Sequence, residues 1–128
     1  MTVVRYHRNG RPWDEETVPS PTWEQVEAAI RRMDNYCFPI VRLNCTEHDD
    51  ADDVFIVIGG AGRYALFQMM AEWQYEDQSG GTAEVRLWES DQGYFCQERN
   101  VLTDIEKVLR ITKAYYETGS YARLDSIE

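Results

Sequence analysis

Lysine is nearly missing from this chain: Lys107 and Lys113 are its only two, and arginine supplies the rest of its thirteen bases. Against them stand twenty-three acids, for a formal net charge of −10 over 128 residues. A field of that sign repels nucleic acid and anionic membrane and attracts a basic partner. Cysteine is scarce too. Cys37, Cys45 and Cys96 are an odd number without CxxC spacing, so they read as reduced thiols in or near a core. Two histidines, His7 and His48, are too few for a zinc site without unusual help, and neither metal nor cofactor is expected. No apolar run approaches the roughly 18–20 residues of a membrane helix. Met1 to Tyr6 lacks the apolar centre of a signal peptide, so a cytoplasmic protein is expected.

What is present is ordinary globular material, with 43% hydrophobic and 28% charged residues, enough for a single domain over 1–128. Its organising stretch runs from Asp52 to Met70. Val54 to Ile58 is apolar on both faces and predicts a central strand covered from both sides. Gly59-Gly60-Ala61-Gly62 predicts a turn, and a second strand follows, ending near Met70.

Around this hairpin the pattern predicts further elements. Val3 to Arg8 alternates weakly and reads as an edge strand, Asn9 to Pro12 as a turn, and Trp13 to Pro21 as a loop. Thr22 with Gln25 makes a capping box for a first helix, whose Trp23, Val26, Ile30 and Met33 share one face. Phe38 to Cys45 alternates as a half-buried strand. The stretch 71–82 reads as a strand extension or a long loop. Ala83 to Trp88 and Tyr94 to Cys96 read as two more strands, with Val85 and Leu87 inward and Trp88 outward beside Glu84 and Arg86. A closing helix is predicted from Thr103, boxed by Glu106 and stopped by Gly119. The expected fold class is α+β, an antiparallel sheet of about five or six strands packed against two helices.

Catalytic constellations are thin. Gly59 to Arg63 lacks the lysine and following helix of a phosphate loop. The acids from Asp49 to Asp53 miss the spacing of a calcium loop, since Ala51 and Gly60 fall where ligands are needed. Nothing in the spacing brings a histidine to a thiol. An enzyme is not expected and no small-molecule substrate is evident, although a small enzyme using carboxylates or a cysteine stays a rival.

The stronger signal is aromatic residues set among acids, the usual composition of an interface anchor with a charged rim. Trp73, Tyr75, Trp88 and Tyr94 are the candidate anchors, with Glu72, Glu76, Asp77, Glu89 and Asp91 as charge partners. Asp49, Asp50, Asp52 and Asp53 form a second candidate patch.

Three segments occur in a telling order: Thr22-Trp23-Glu24-Gln25-Val26-Glu27-Ala28-Ala29-Ile30, then Phe55-Ile56-Val57-Ile58-Gly59-Gly60-Ala61-Gly62-Arg63-Tyr64, then a long helix into Tyr116-Glu117-Thr118-Gly119. On these residues the chain resembles the Imm1-type immunity proteins of bacterial polymorphic toxin systems. Its tail lacks the tryptophan that such proteins often carry after the helix glycine. The resemblance implies a small α+β protein that binds and neutralises a toxin domain, often a nucleic-acid deaminase or nuclease, with no catalytic residues of its own. The expectation is therefore an acidic immunity protein with a basic protein partner. A regulatory module with an unrelated basic partner is the alternative.

Overall fold

The structure is a computed structural model and describes residues 1–8, 12–44, 54–69 and 73–128. In chain order its elements are β1 (Thr2–Arg5), β2 (Asp14–Thr17), α1 (Trp23–Arg32), β3 (Ile40–Asn44), β4 (Val54–Gly60), β5 (Arg63–Gln68), β6 (Glu84–Leu87), β7 (Tyr94–Gln97), β8 (Val101–Leu102) and α2 (Ile105–Thr118). Six strands form one antiparallel sheet in the order β2-β1-β3-β4-β5-β8, and β6 with β7 makes a separate hairpin. This is the α+β architecture that the patterning predicts. Among the described residues no helix is long and apolar enough to cross a membrane.

β4 lies inside the sheet, and its side chains alternate between two cores. Phe55 and Val57 join Val41 of β3 and Leu66 of β5 under the helices, while Ile56 and Ile58 join Val4, Ile40 and Ala65 on the opposite face. That division explains why Val54–Ile58 carries no polar residue: each face meets its own apolar layer. A two-residue turn, Ala61-Gly62 with φ of +53° and +87°, joins β4 to β5. Positive φ at both central positions matches the twist that a tight hairpin needs.

The helices form one layer. Thr22 caps α1 reciprocally with Gln25, as its spacing predicts, and Val26, Ala29 and Ile30 are buried beneath it. α2 begins one residue later than expected. Asp104, not Thr103, is its N-cap, because the Asp104 carboxylate accepts the Glu106 backbone N–H at 3.0 Å. Gly119 ends the helix at φ +67°, its N–H donating to the Tyr115 carbonyl at 2.7 Å. Tyr115 stacks on Phe55 with ring centroids 4.7 Å apart, which ties α2 to the centre of the sheet.

Three expectations along the chain are corrected. Val3 to Arg8 does not supply an edge strand: β1 ends at Arg5 and is flanked by β2 and β3. The true edge is β2, inside the stretch expected to be a loop. Asp and Glu are poor strand formers, and flanking prolines hide this one. Its pairing comes from a long-range contact instead, in which Met1 and Val18 exchange both backbone hydrogen bonds, at 2.8 and 2.9 Å. The second hairpin strand ends at Gln68, and a short β8 adds the sheet's other edge.

Candidate functional site

The sheet's second face is only partly covered. The β6–β7 hairpin lies over it with Leu87 and Cys96 buried, and Tyr94 stacks on Phe67 of β5 at 4.9 Å. Asn35, in the connection between α1 and β3, fixes the hairpin's turn. Its side-chain oxygen accepts the Trp88 backbone N–H at 2.7 Å, and its carbonyl accepts the Glu89 N–H at 2.8 Å. Asn35 is buried and sits at φ +67°, a left-handed conformation in which Asn is among the residues best tolerated.

The uncovered part is a groove of about 250 Å³. Its floor is apolar: Val4 from β1, Ile40 from β3, and Ile56 and Ile58 from β4. Tyr6, Trp13 and Trp88 line it as well. Tyr6 is the middle ring, 6.3 Å from Trp13 and 6.0 Å from Trp88 between centroids. Trp13 is 52% exposed, so more than half of a large apolar side chain is left in water. Single exposed rings are common, but this one lies against an apolar floor with two further rings beside it.

Polar groups sit at the groove's ends. The Tyr6 hydroxyl donates to Asp91 Oδ2 at 2.8 Å. Burial, reinforced by that carboxylate, pushes the Tyr6 phenol up to about 12, while the Trp88 side chain pulls the other way. Arg42 and Glu15 also line the groove and form an ion pair with each other. In register Arg42 lies opposite Thr2, and Tyr6 is four residues further along the β1 direction. At ~3.3 Å per residue, that separates the Arg42 backbone from the aromatic end by roughly 13 Å.

The residues expected to form one aromatic–acidic surface are divided between the two faces. Trp73 and Tyr75 belong to the helix-side core: residues 73–75 run beside β5, and alternation turns both rings inward around Gln74. Trp73 stacks on Phe55 at 5.9 Å and donates its indole N–H to Asp125 at 3.1 Å. Tyr75 is 9% exposed. Trp88 and Tyr94 belong to the second face. The outward orientation expected for Trp88 is therefore corrected: it follows the end of β6, and its φ of +60° together with the Asn35 bond places the ring in the groove.

The expected charge partners are placed individually. Glu76 pairs with Arg99 at 3.1 Å, and Glu89 with Arg63 at 3.5 Å. Asp77 accepts the Ser79 hydroxyl and N–H, at 2.7 and 3.0 Å, which holds its carboxyl below the usual range. Asp91 holds Tyr6. Glu72, Asp49, Asp50, Asp52 and Asp53 lie outside the described residues. Tyr6, Trp13 and Glu15 are the site residues that the sequence reading missed. The available signal was the apolar outer face of Ile40, Ile56 and Ile58, which exceeds what one short hairpin can cover.

Reactive groups are not gathered here. Burial pushes the Cys96 thiol up, disfavouring the thiolate. His7 pairs with Asp14 at 2.9 Å. Among the described residues no cluster of His, Cys, Asp or Glu is suited to a metal ion. What the site offers is apolar area, three rings and carboxylates, the means of binding. Comparison with protein-family models, with curated proteins and with solved structures yields no match.

Proposed function

We propose that this chain is an immunity-type inhibitor that binds a basic toxin domain and occludes it. The observation that carries the reading is the groove: an open apolar floor lined by Tyr6, Trp13 and Trp88, on a chain of net charge −10. Aromatic anchors within an acidic field are what a tight interface with a basic protein uses, because the rings supply buried area and the charge speeds docking. The order of segments by which the sequence resembles Imm1-type proteins fits the same reading. A toxin that handles nucleic acid presents a basic surface to phosphate, and an acidic protein seated there would keep phosphate out.

The test reads the gene immediately upstream: a toxin domain there supports the proposal and a metabolic operon counts against it. Any such toxin domain is then purified and titrated with this chain at several salt concentrations. The proposal expects a tight complex whose association rate falls as salt rises. The absence of a complex at low salt, or an affinity and on-rate indifferent to salt, would overturn it. Binding to a basic protein unrelated to any toxin would favour the regulatory-module alternative.

A further inference from the structure

We infer that the aromatic end of the groove receives a cationic side chain of the partner, an arginine in preference to a lysine. This rests on the protein-binding reading and specifies the chemistry of its anchor point. Three observations converge. Tyr6, Trp13 and Trp88 line one groove, with Tyr6 within 6.3 Å of both other rings. Ring faces attract cations, tryptophan most strongly, and the attraction grows where water is excluded. Asp91 lies just beyond the lining, joined to the hydroxyl of the lining residue Tyr6 at 2.8 Å. A carboxylate accepts more than one hydrogen bond per oxygen, so Asp91 can hold Tyr6 and still meet a guanidinium. The floor of Val4, Ile40, Ile56 and Ile58 suits the methylene stem that carries such a head group.

The groove's own cation does not oppose this. Arg42 lies toward the other end and is paired with Glu15. The Glu15 carboxylate offsets the guanidinium charge, so the pair presents no net cation to the groove. Arg86 is tied to the Asp91 backbone carbonyl at 2.8 Å and leaves the Asp91 carboxylate oxygens to Tyr6 and the Gln92 N–H. Arginine is favoured over lysine because a planar, weakly hydrated guanidinium stacks on indole and meets a carboxylate through two N–H groups at once. A second copy of this chain is a poorer occupant, since two molecules of net charge −10 repel each other.

The experiment needs no toxin, so it separates failure of this inference from failure of the inhibitor reading. Capped Gly-Arg-Gly is titrated into the full chain while the four indole N–H resonances are followed by NMR. Lysine, citrulline and norleucine counterparts are run alongside. The expected result is a saturable shift of Trp13 and Trp88 but not of Trp23 or Trp73. Binding should be strongest for arginine and at least threefold weaker for citrulline, which keeps the shape without the charge. Trp13→Ala, at an exposed position, should weaken the arginine probe by roughly threefold to tenfold, and Asp91→Asn should weaken it by a similar factor. Equal binding of the citrulline or norleucine peptide would overturn the inference, leaving only an apolar groove. So would shifts spread evenly over all four indoles, or no shift of Trp13 and Trp88 at all.

Discussion

The side-chain oxygen of Asn35 accepts the backbone N–H of Trp88 at 2.7 Å, across 53 residues of sequence. One buried amide thus holds the end of β6 to the turn that follows α1, and it sets the Trp88 ring against the groove. Loss of the acceptor would leave the Trp88 N–H in search of a partner, which costs ~1–3 kcal/mol when buried. Alanine at φ +67° adds about 1 kcal/mol of backbone strain. Asn35→Ala is therefore expected to lower stability by roughly 2–4 kcal/mol in denaturant titration. Asn35→Gly, free of the backbone term, should be the milder change. Equal losses would mean that φ contributes nothing.

The glycines of the β4–β5 hairpin make a graded series. A Cβ on Gly59 would meet the Arg63 carbonyl oxygen at 2.1 Å, and one on Gly60 would meet the Asn35 nitrogen at 2.5 Å. A Cβ on Gly62 would meet nothing within 4 Å, although its φ of +87° still disfavours a side chain. Gly59→Ala and Gly60→Ala should each cost several-fold more than Gly62→Ala, whose penalty is about 1–2 kcal/mol. Thermal unfolding of the three variants would expose the ranking, and a reversed order would contradict the close backbone contacts.

Ala61 is the residue at odds with its own conformation. It sits at φ +53° in the first central position of the hairpin turn, where asparagine is preferred. Ala61→Asn is expected to raise stability by about 0.5 kcal/mol. A destabilised variant would argue that the side chain there meets something other than solvent.

The buried Tyr6 phenol, bonded to Asp91, predicts an alkaline limb. Burial first, and the hydrogen bond to Asp91 second, raise the phenol from its ordinary 10.0 to about 12. A raised folded-state value means that the folded chain holds this proton more tightly than the unfolded chain. Its stabilising contribution is therefore full below pH 10 and disappears as pH climbs toward 12. Tyr6→Phe should flatten that part of the stability curve relative to wild type. Superimposable curves between those pH values would show that folding does not raise the Tyr6 phenol.

Much of the fold is legible in the sequence, for reasons tied to short-range physics. Thr22 with Gln25, the two-faced apolar run of β4, and Gly119 after α2 each encode their conformation within a few residues. β2 is hidden because its acidic residues are poor strand formers and its pairing depends on Met1 and Val18 meeting across 17 residues. The site is less legible than the fold. Trp73 and Trp88 look alike in sequence, each a tryptophan beside glutamate, yet one stacks on Phe55 under the helices and the other lines the open groove. Only the side-by-side run with β5 and the Asn35 bond separate them. Trp13 escaped notice because its ring matters through Tyr6, which becomes its neighbour only when β1 and β2 pair.

Inhibition of a toxin by binding would show most plainly in cell survival. Cells expressing a toxin domain found in the gene immediately upstream would be grown with and without this chain, with growth rate as the readout. Co-expression is expected to restore growth to the toxin-free rate. Equal loss of growth with and without the chain, at confirmed expression of both proteins, would contradict it.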